Sequence, residues 1–179
     1  MERDADEWGR VLSALAFAAH KHRDQRRKDS DASPYINHPI ALANVLWHEG
    51  EVREPAVLAA ALLHDTLEDT ETTHQELRGI FGAEIADIVA EVTDTKWLPT
   101  GLRKRLQVTK AASSSNGARL VKLADKICNL RDMIASPPAG WPLARKREYF
   151  DWARSVIDNV RGTNAKLERR FDQICEQRP

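Results

Sequence analysis

Residues 55–70 read Pro55-Ala-Val-Leu-Ala-Ala-Ala-Leu-Leu-His64-Asp65-Thr-Leu-Glu68-Asp69-Thr70. Proline suits the first turn of a helix. The run from Val57 to Leu63 that follows is apolar on every side. A helix without a polar face belongs at the centre of a core. This one nevertheless ends in four ionisable groups, which are expensive to desolvate without partners. A bound cation resolves that conflict, and the negative end of the helix dipole favours positive charge there. Residues four apart share a helix face, so the pattern sets His64 over Glu68 and Asp65 over Asp69.

Two further ligands lie outside this stretch. His38 stands in Pro34-Tyr-Ile-Asn-His38-Pro39, at the start of another helix. Asp125 stands in Leu120-Val-Lys-Leu-Ala-Asp125-Lys-Ile-Cys-Asn129, on an apolar stripe of Leu120, Leu123, Ala124 and Ile127. A carboxylate on such a stripe needs a partner. Two histidines and two aspartates make a mixed nitrogen and oxygen set, suited to manganese, iron or zinc more than to calcium or magnesium. A lone His-Asp pair is more often hydrogen-bonded than ligating, and a lone buried Asp is more often a cap or an ion-pair partner. The joint pattern of His38, His64-Asp65 with Glu68-Asp69, and Asp125 with Asn129 one turn later outweighs those plainer readings. The remaining histidines take them: His20 and His22 flank a surface helix end, His48 lies near a helix C-terminus, and His74 belongs to a capping turn.

The rest of the chain reads with helical period, and no strand alternation appears. About nine helices are expected. The first runs from Asp6 to Arg23, with an apolar face of Val11, Leu12, Leu15, Ala18 and Ala19. A polar loop covers Asp24 to Asn37, and the second helix runs from Pro39 to a stop at Gly50. After the Pro55 helix come Thr73 to Gly82, opened by the capping box Thr73-His-Gln-Glu76, and Ala83 to Val92. Thr100 to Ala111, Asn116 to Ile134, Leu143 to Val160 and Asn164 to Cys175 complete the bundle. Short connections leave no domain boundary, so residues 1–179 read as one all-α domain. That length supports a core without staples.

Two cysteines, Cys128 and Cys175, are too few for a disulfide-built domain and point to a reducing, cytoplasmic setting. No apolar run approaches the ~20 residues of a membrane span. The Met1 to Glu7 segment is acidic and polar, unlike a signal peptide. Lys plus Arg and Asp plus Glu are 27 each, which argues against a general nucleic-acid binder. The charge is uneven, however: His20 to Lys28 and Arg103 to Lys110 are basic, which leaves room for a pocket facing an anionic small molecule. The tryptophans, Trp8, Trp47, Trp97, Trp141 and Trp152, read as core at helical spacing. Oligomeric state is not readable.

Several stretches together resemble a known family. They are Arg26-Arg-Lys-Asp29, Pro34 to Pro39, Ala60-Ala-Leu-Leu-His-Asp-Thr-Leu-Glu-Asp-Thr70, Glu91-Val-Thr-Asp94, Arg103-Lys-Arg-Leu-Gln107, Leu120 to Asp125, Asn129-Leu-Arg131 and Glu148-Tyr-Phe150. The chain resembles the HD hydrolases, and among them the hydrolase half of the RelA/SpoT alarmone enzymes. The small stand-alone alarmone hydrolases, of the metazoan SpoT-homologue type and its bacterial counterparts, are the nearest in form. The resemblance implies a compact HD-type helical bundle with one manganese ion on His38, His64, Asp65 and Asp125. Dinuclear relatives carry extra histidines between the His-Asp pair and the last Asp, where this chain has only His74.

The resemblance further implies hydrolysis of ppGpp and pppGpp at the ribose 3′ position, giving GDP or GTP and pyrophosphate. Glu68 and Asp69 then match the pair that handles the catalytic water. Arg27 and Lys28 match a loop beside the nucleotide, Asn129 a substrate contact, and Arg145 and Tyr149 positions lining the pocket. The basic loop leads directly to His38, and Lys122 or Arg103 is expected to neutralise further phosphate charge. Short relatives often carry Lys soon after the Leu-Pro of the loop before the sixth helix. Here Thr100 follows Leu98-Pro99, and Arg103 is the expected substitute. Two other readings stand beside this one. The first is another HD nucleotide phosphohydrolase, such as an NADPH 2′-phosphatase. The second is an alarmone-binding module without turnover, against which the intact Glu68-Asp69 pair speaks. The partner in either enzyme reading is a small nucleotide, with no nucleic acid and no membrane.

Overall fold

The computed structural model describes residues 2–29 and 31–179, with side chains from residue 6 onward; Met1 and Ser30, which fall in the N-terminal segment and polar loop read above, lie outside the described residues. In chain order the helices are α1 (Glu2–Lys21), α2 (Asn37–Asn44), α3 (Pro55–Leu63), α4 (Thr66–Asp69), α5 (His74–Phe81), α6 (Ala83–Val92), α7 (Thr100–Ala111), α8 (Asn116–Ala135), α9 (Leu143–Ile157) and α10 (Ala165–Cys175). All nine expected helices are present, and the single turn α4 is additional. No strand occurs among the described residues; one isolated bridge joins Arg26 and Pro34.

α3 is the axle of the bundle. Every residue from Val57 to Leu63 is buried, and the helix touches α1, α2, α6 and α8. Its three central alanines let those neighbours come close, as do Ala14 and Ala18 on α1. The α1 contact runs through these small residues, so Leu12 faces solvent at 69% exposure and does not join the expected apolar face. Of the tryptophans, Trp47, Trp141 and Trp152 pack against the core from its edge, whereas Trp8 and Trp97 do not join it. Trp97 is 87% exposed and Trp8 is 38% exposed, while Trp47, Trp141 and Trp152 are half-buried. Trp8 stands edge-on to Trp47, and Trp152 edge-on to Tyr149. No helix among the described residues is long and apolar enough to cross a membrane. Both thiols are free and buried.

The ends of the helices follow local chemistry. Thr73 accepts the Glu76 backbone N–H at 3.1 Å, which caps α5. The Glu76 carboxylate pairs with Lys21, 3.2 Å away. Gly82 joins α5 to α6 at a φ of 93°, where a side chain would be strained.

α2 runs on through a wider turn, Val45–Glu49, in which Gly50 N–H reaches back five residues to Val45 O. Gly50 itself has an ordinary φ of −87°, and the left-handed residue is Glu51 at 53°. Glycine is needed at 50 for space. A methyl there lies 2.9 Å from both Leu167 Cδ1 and the Leu46 carbonyl oxygen. Gly50→Ala is therefore expected to lower stability by ~1–3 kcal/mol through overpacking, read from the denaturant midpoint. An unchanged midpoint would show that α10 can back away freely.

The helix lapses at His64-Asp65. The Thr66 hydroxyl donates to Leu63 O at 2.7 Å and the Thr70 hydroxyl donates to Thr66 O at 2.7 Å. Side-chain hydroxyls that engage backbone carbonyls in this way bend and end helices. The four ionisable groups therefore fan out to different partners instead of stacking in pairs.

Candidate active site

The expected ligands come from three separated segments and meet at the end of α3. His38, His64 and Asp65 bring ligand atoms within 4.8 Å of one another. Asp125 Oδ1 is 3.2 Å from His38 Nε2 and 4.0 Å from His64 Nε2. His64 Nδ1–H donates to Ala61 O at 2.8 Å, which leaves Nε2 to take either a proton or a cation. That nitrogen is buried without a hydrogen-bond partner, 2.9 Å from Asp65 Oδ2. Two lone pairs cannot face each other at that distance unless a proton or a cation lies between them. In protonated form, His64 loses stability by burial, yet Asp65 and then Asp125 outweigh this and lift it to about 9. Burial pushes the Asp65 carboxyl upward, but His64 holds it below the usual range. Burial likewise opposes ionisation of Asp125, and Lys126 with the two histidines holds it well below that range. A divalent cation there would displace that proton and take the imidazole nitrogens and ionised carboxylates as ligands, so these residues fit one.

Neighbours fix the orientation of these groups. The Tyr35 hydroxyl donates to Asp65 Oδ2. Asn129 Nδ2 donates to Asp125 Oδ1 at 2.6 Å, and Lys126 Nζ donates to Oδ2 at 2.8 Å. Glu68 finds its partners outside the cluster. Its Oε2 accepts the Asp94 N–H at 3.2 Å and its Oε1 accepts Arg103 Nη1 at 3.3 Å. Burial raises the Glu68 carboxyl to about 7; the Asp94 N–H opposes that, while the charges of Asp94, Asp65 and Asp69 add to it. Asp69 accepts from Gln25 and Lys96, each at 3.0 Å.

A cavity of about 540 Å³ opens beside these groups, with Tyr35, Asp69 and Asn129 in its floor. Arg27, Lys28 and Lys96 line it, as do Trp141 and Tyr149. Arg27 is partnered by Asp132 and lies 3.5 Å from Asn129 Oδ1. Four of the five expected substrate contacts, Arg27, Lys28, Asn129 and Tyr149, thus share one cavity. The fifth, Arg145, lies outside the lining, with its guanidinium 4.0 Å over the Trp141 ring. Arg103 faces Glu68, and its Nε is buried without a partner. Lys122 lines a separate small pocket with Glu91 and Asp94, where burial and Lys126 lower it to about 8.

Sequence reasoning passed over several residues. Tyr35, inside the Pro34 to Pro39 stretch, is bonded to Asp65. Lys96, next to Leu98-Pro99, bonds both Asp69 and the Glu68 carbonyl. His22 is not at a surface end: it is 2% exposed and 2.6 Å from Gln25 Oε1. A histidine three residues before a glutamine at a helix end was the signal available. His74 lies in the turn capped by Thr73, as expected, and also pairs with Asp87 at 2.8 Å.

A family model described as HD domain matches residues 14–151. The guanosine-3′,5′-bis(diphosphate) 3′-pyrophosphohydrolase MESH1 of Mus musculus is 53% identical over 172 residues, covering 96% of this chain and 96% of that protein. Its counterpart of the same name in Drosophila melanogaster is 47% identical over 169 residues, covering 94% of each. The solved structure of a metazoan ortholog of SpoT, described as hydrolysing ppGpp with a role in starvation responses, is also similar. It superposes with a TM-score of 0.91 at 47% identity, covering 94% of this chain and 95% of that one.

Proposed function

The chain belongs to the HD-domain family, and on that footing we propose that it is a manganese-dependent 3′-pyrophosphohydrolase acting on ppGpp and pppGpp in the cytoplasm, with residues 1–179 as one catalytic domain. One observation carries this reading. A cluster of imidazole nitrogens and carboxylates adjoins a cavity lined by cationic side chains and aromatic rings. A guanosine carrying diphosphates at both ends of its ribose has matching chemistry: anionic groups to be neutralised, and a base with two apolar faces.

His38, His64, Asp65 and Asp125 would hold the ion. When bound, a divalent cation supplies an acidified water and a polarised phosphoryl oxygen. Glu68 accepts the proton of the attacking water, since a carboxyl near pH 7 is matched to that task. The Asp94 N–H and Arg103 each hold one of its oxygens, which aims the carboxylate. Asp69 orients the same water. Arg27 and Lys28 neutralise the phosphates away from the cut, with Lys96 beside them. Asn129 contacts the nucleotide, Tyr149 lines the base side, and Arg145 backs Trp141 at the outer wall.

Product analysis tests the proposal. Purified protein with manganese is incubated in turn with ppGpp, pppGpp and NADPH. The expected result is GDP or GTP with intact pyrophosphate, and slower loss of the NADPH 2′-phosphate. Release of single phosphates from ppGpp, or no turnover of it beside brisk NADPH dephosphorylation, would replace this reading with a phosphatase.

A further inference from the structure

Asp69 accepts one hydrogen bond on each oxygen, from Lys96 Nζ on Oδ1 and from Gln25 Nε2 on Oδ2, both at 3.0 Å. An ionised carboxylate only accepts, so Gln25 must turn its NH₂ toward Asp69 and its oxygen the other way. That oxygen lies 2.6 Å from His22 Nδ1. An amide oxygen also only accepts, so the His22 proton sits on Nδ1 and Nε2 is bare. The ring is 2% exposed, and Nε2 has no hydrogen-bond partner. Its face packs on Tyr35 with centroids 4.9 Å apart. Backbone bonds brace the same three residues: Gln25 N–H to His22 O at 3.0 Å, and Tyr35 N–H to Gln25 O at 3.1 Å.

We propose that His22 and Gln25 are positioning residues, a two-step hydrogen-bond relay that holds the Asp69 carboxylate in the orientation turnover needs. The inference rests on the reading of Asp69 as part of the water-handling pair. Packing alone does not account for His22. A phenylalanine would fill the same space against Tyr35 without burying a bare ring nitrogen, which is costly. The one directed bond of the ring serves Gln25, and the one side-chain bond of the Gln25 amide nitrogen serves Asp69. Gln25 also lines the cavity, so without His22 its amide is free to rotate toward the nucleotide. Asp69 would then be held by Lys96 alone, whose side chain is 59% exposed. A small displacement of a reacting group lowers turnover more than it lowers substrate affinity.

Two variants separate this role from packing. His22→Phe keeps the ring against Tyr35 and removes the donor, whereas His22→Asn keeps an N–H near the position of Nδ1. Imidazole nitrogen-15 spectra of the protein loaded with zinc, a diamagnetic ion, are expected to show His22 as the Nδ1–H tautomer at neutral pH. Gln25→Leu is expected to abolish that preference. With ppGpp and manganese, His22→Phe should lower kcat by about tenfold while KM changes by less than about twofold. His22→Asn should recover kcat to within about threefold, and the double variant His22→Phe with Gln25→Leu should be no worse than either alone. An Nε2–H tautomer in the parent protein would overturn the relay. So would His22→Phe with undiminished kcat, or equal losses in both His22 variants that track a fall in Tm. The tautomer is read without turnover. Parent protein that is inactive on ppGpp yet holds the Nδ1–H form would retire the substrate reading and leave the relay standing.

Discussion

Glu68→Gln is expected to lower kcat by roughly 10²–10⁴-fold while the nucleotide still binds. The amide keeps the shape of the side chain, but its single oxygen can accept from only one of Arg103 and the Asp94 N–H, and it cannot take a proton. The same carboxyl should set the acid side of the pH profile. Its folded value is raised to about 7 by burial, and the base must be deprotonated to act. Activity of the parent protein should therefore fall as pH drops through about 7, and this limb should vanish from the residual activity of the variant. Near-normal turnover by Glu68→Gln would move the proton-accepting role to Asp69.

Removing the metal is expected to abolish turnover and to lower Tm together. The proposed ligands come from segments as far apart as His38 and Asp125, so an ion that binds only the folded chain also clips it. At an ion concentration of 100 times Kd the linkage is worth about 2.7 kcal/mol. For a domain of this size that corresponds to a Tm difference of roughly 5–10 °C. Manganese added back should restore both. Asp65→Asn should shift the manganese concentration needed for half-maximal activity upward. Unchanged melting and unchanged activity after exhaustive chelation would remove the metal from the reaction.

The elements legible in the sequence were those whose evidence is local. The apolar run from Val57 to Leu63 announced a buried helix, Pro55 its start, and Thr73 a cap, and each does so in the structure. The convergence of His38, His64, Asp65 and Asp125 was legible because ionisable groups on apolar segments demand partners. What escaped depends on how the chain folds back on itself. His22 sits among Lys21, Arg23 and Asp24, a surface neighbourhood by composition, and it is interior with Gln25 and Tyr35 folded back against it. The break after Leu63 was hidden because Thr66 competes for a carbonyl only at close range. Leu12 and Trp8 misled because hydrophobicity alone does not say which side of a helix meets alanines, and Trp97 because it stands in a turn outside the helices. Arg145 shares a helix with Tyr149, yet its stacking on Trp141 turns it away from the cavity lining.

The break at His64-Asp65 also divides inheritance. The side chains proposed to hold the ion and handle the water stand at the start of α2, at the end of α3, on α4 and on α8, and His38 and His64 are themselves buried, so exchanges there disturb the packing of the bundle. The cationic and aromatic walls of the cavity hang from the connection before α2, from the segment before α7, and from α9 and the turn before it, all of which border solvent. Mutation can therefore redraw the outline of the nucleotide accepted while the hydrolytic end stays untouched. A lineage built on this scaffold is free to diversify in substrate long before it is free to change its chemistry.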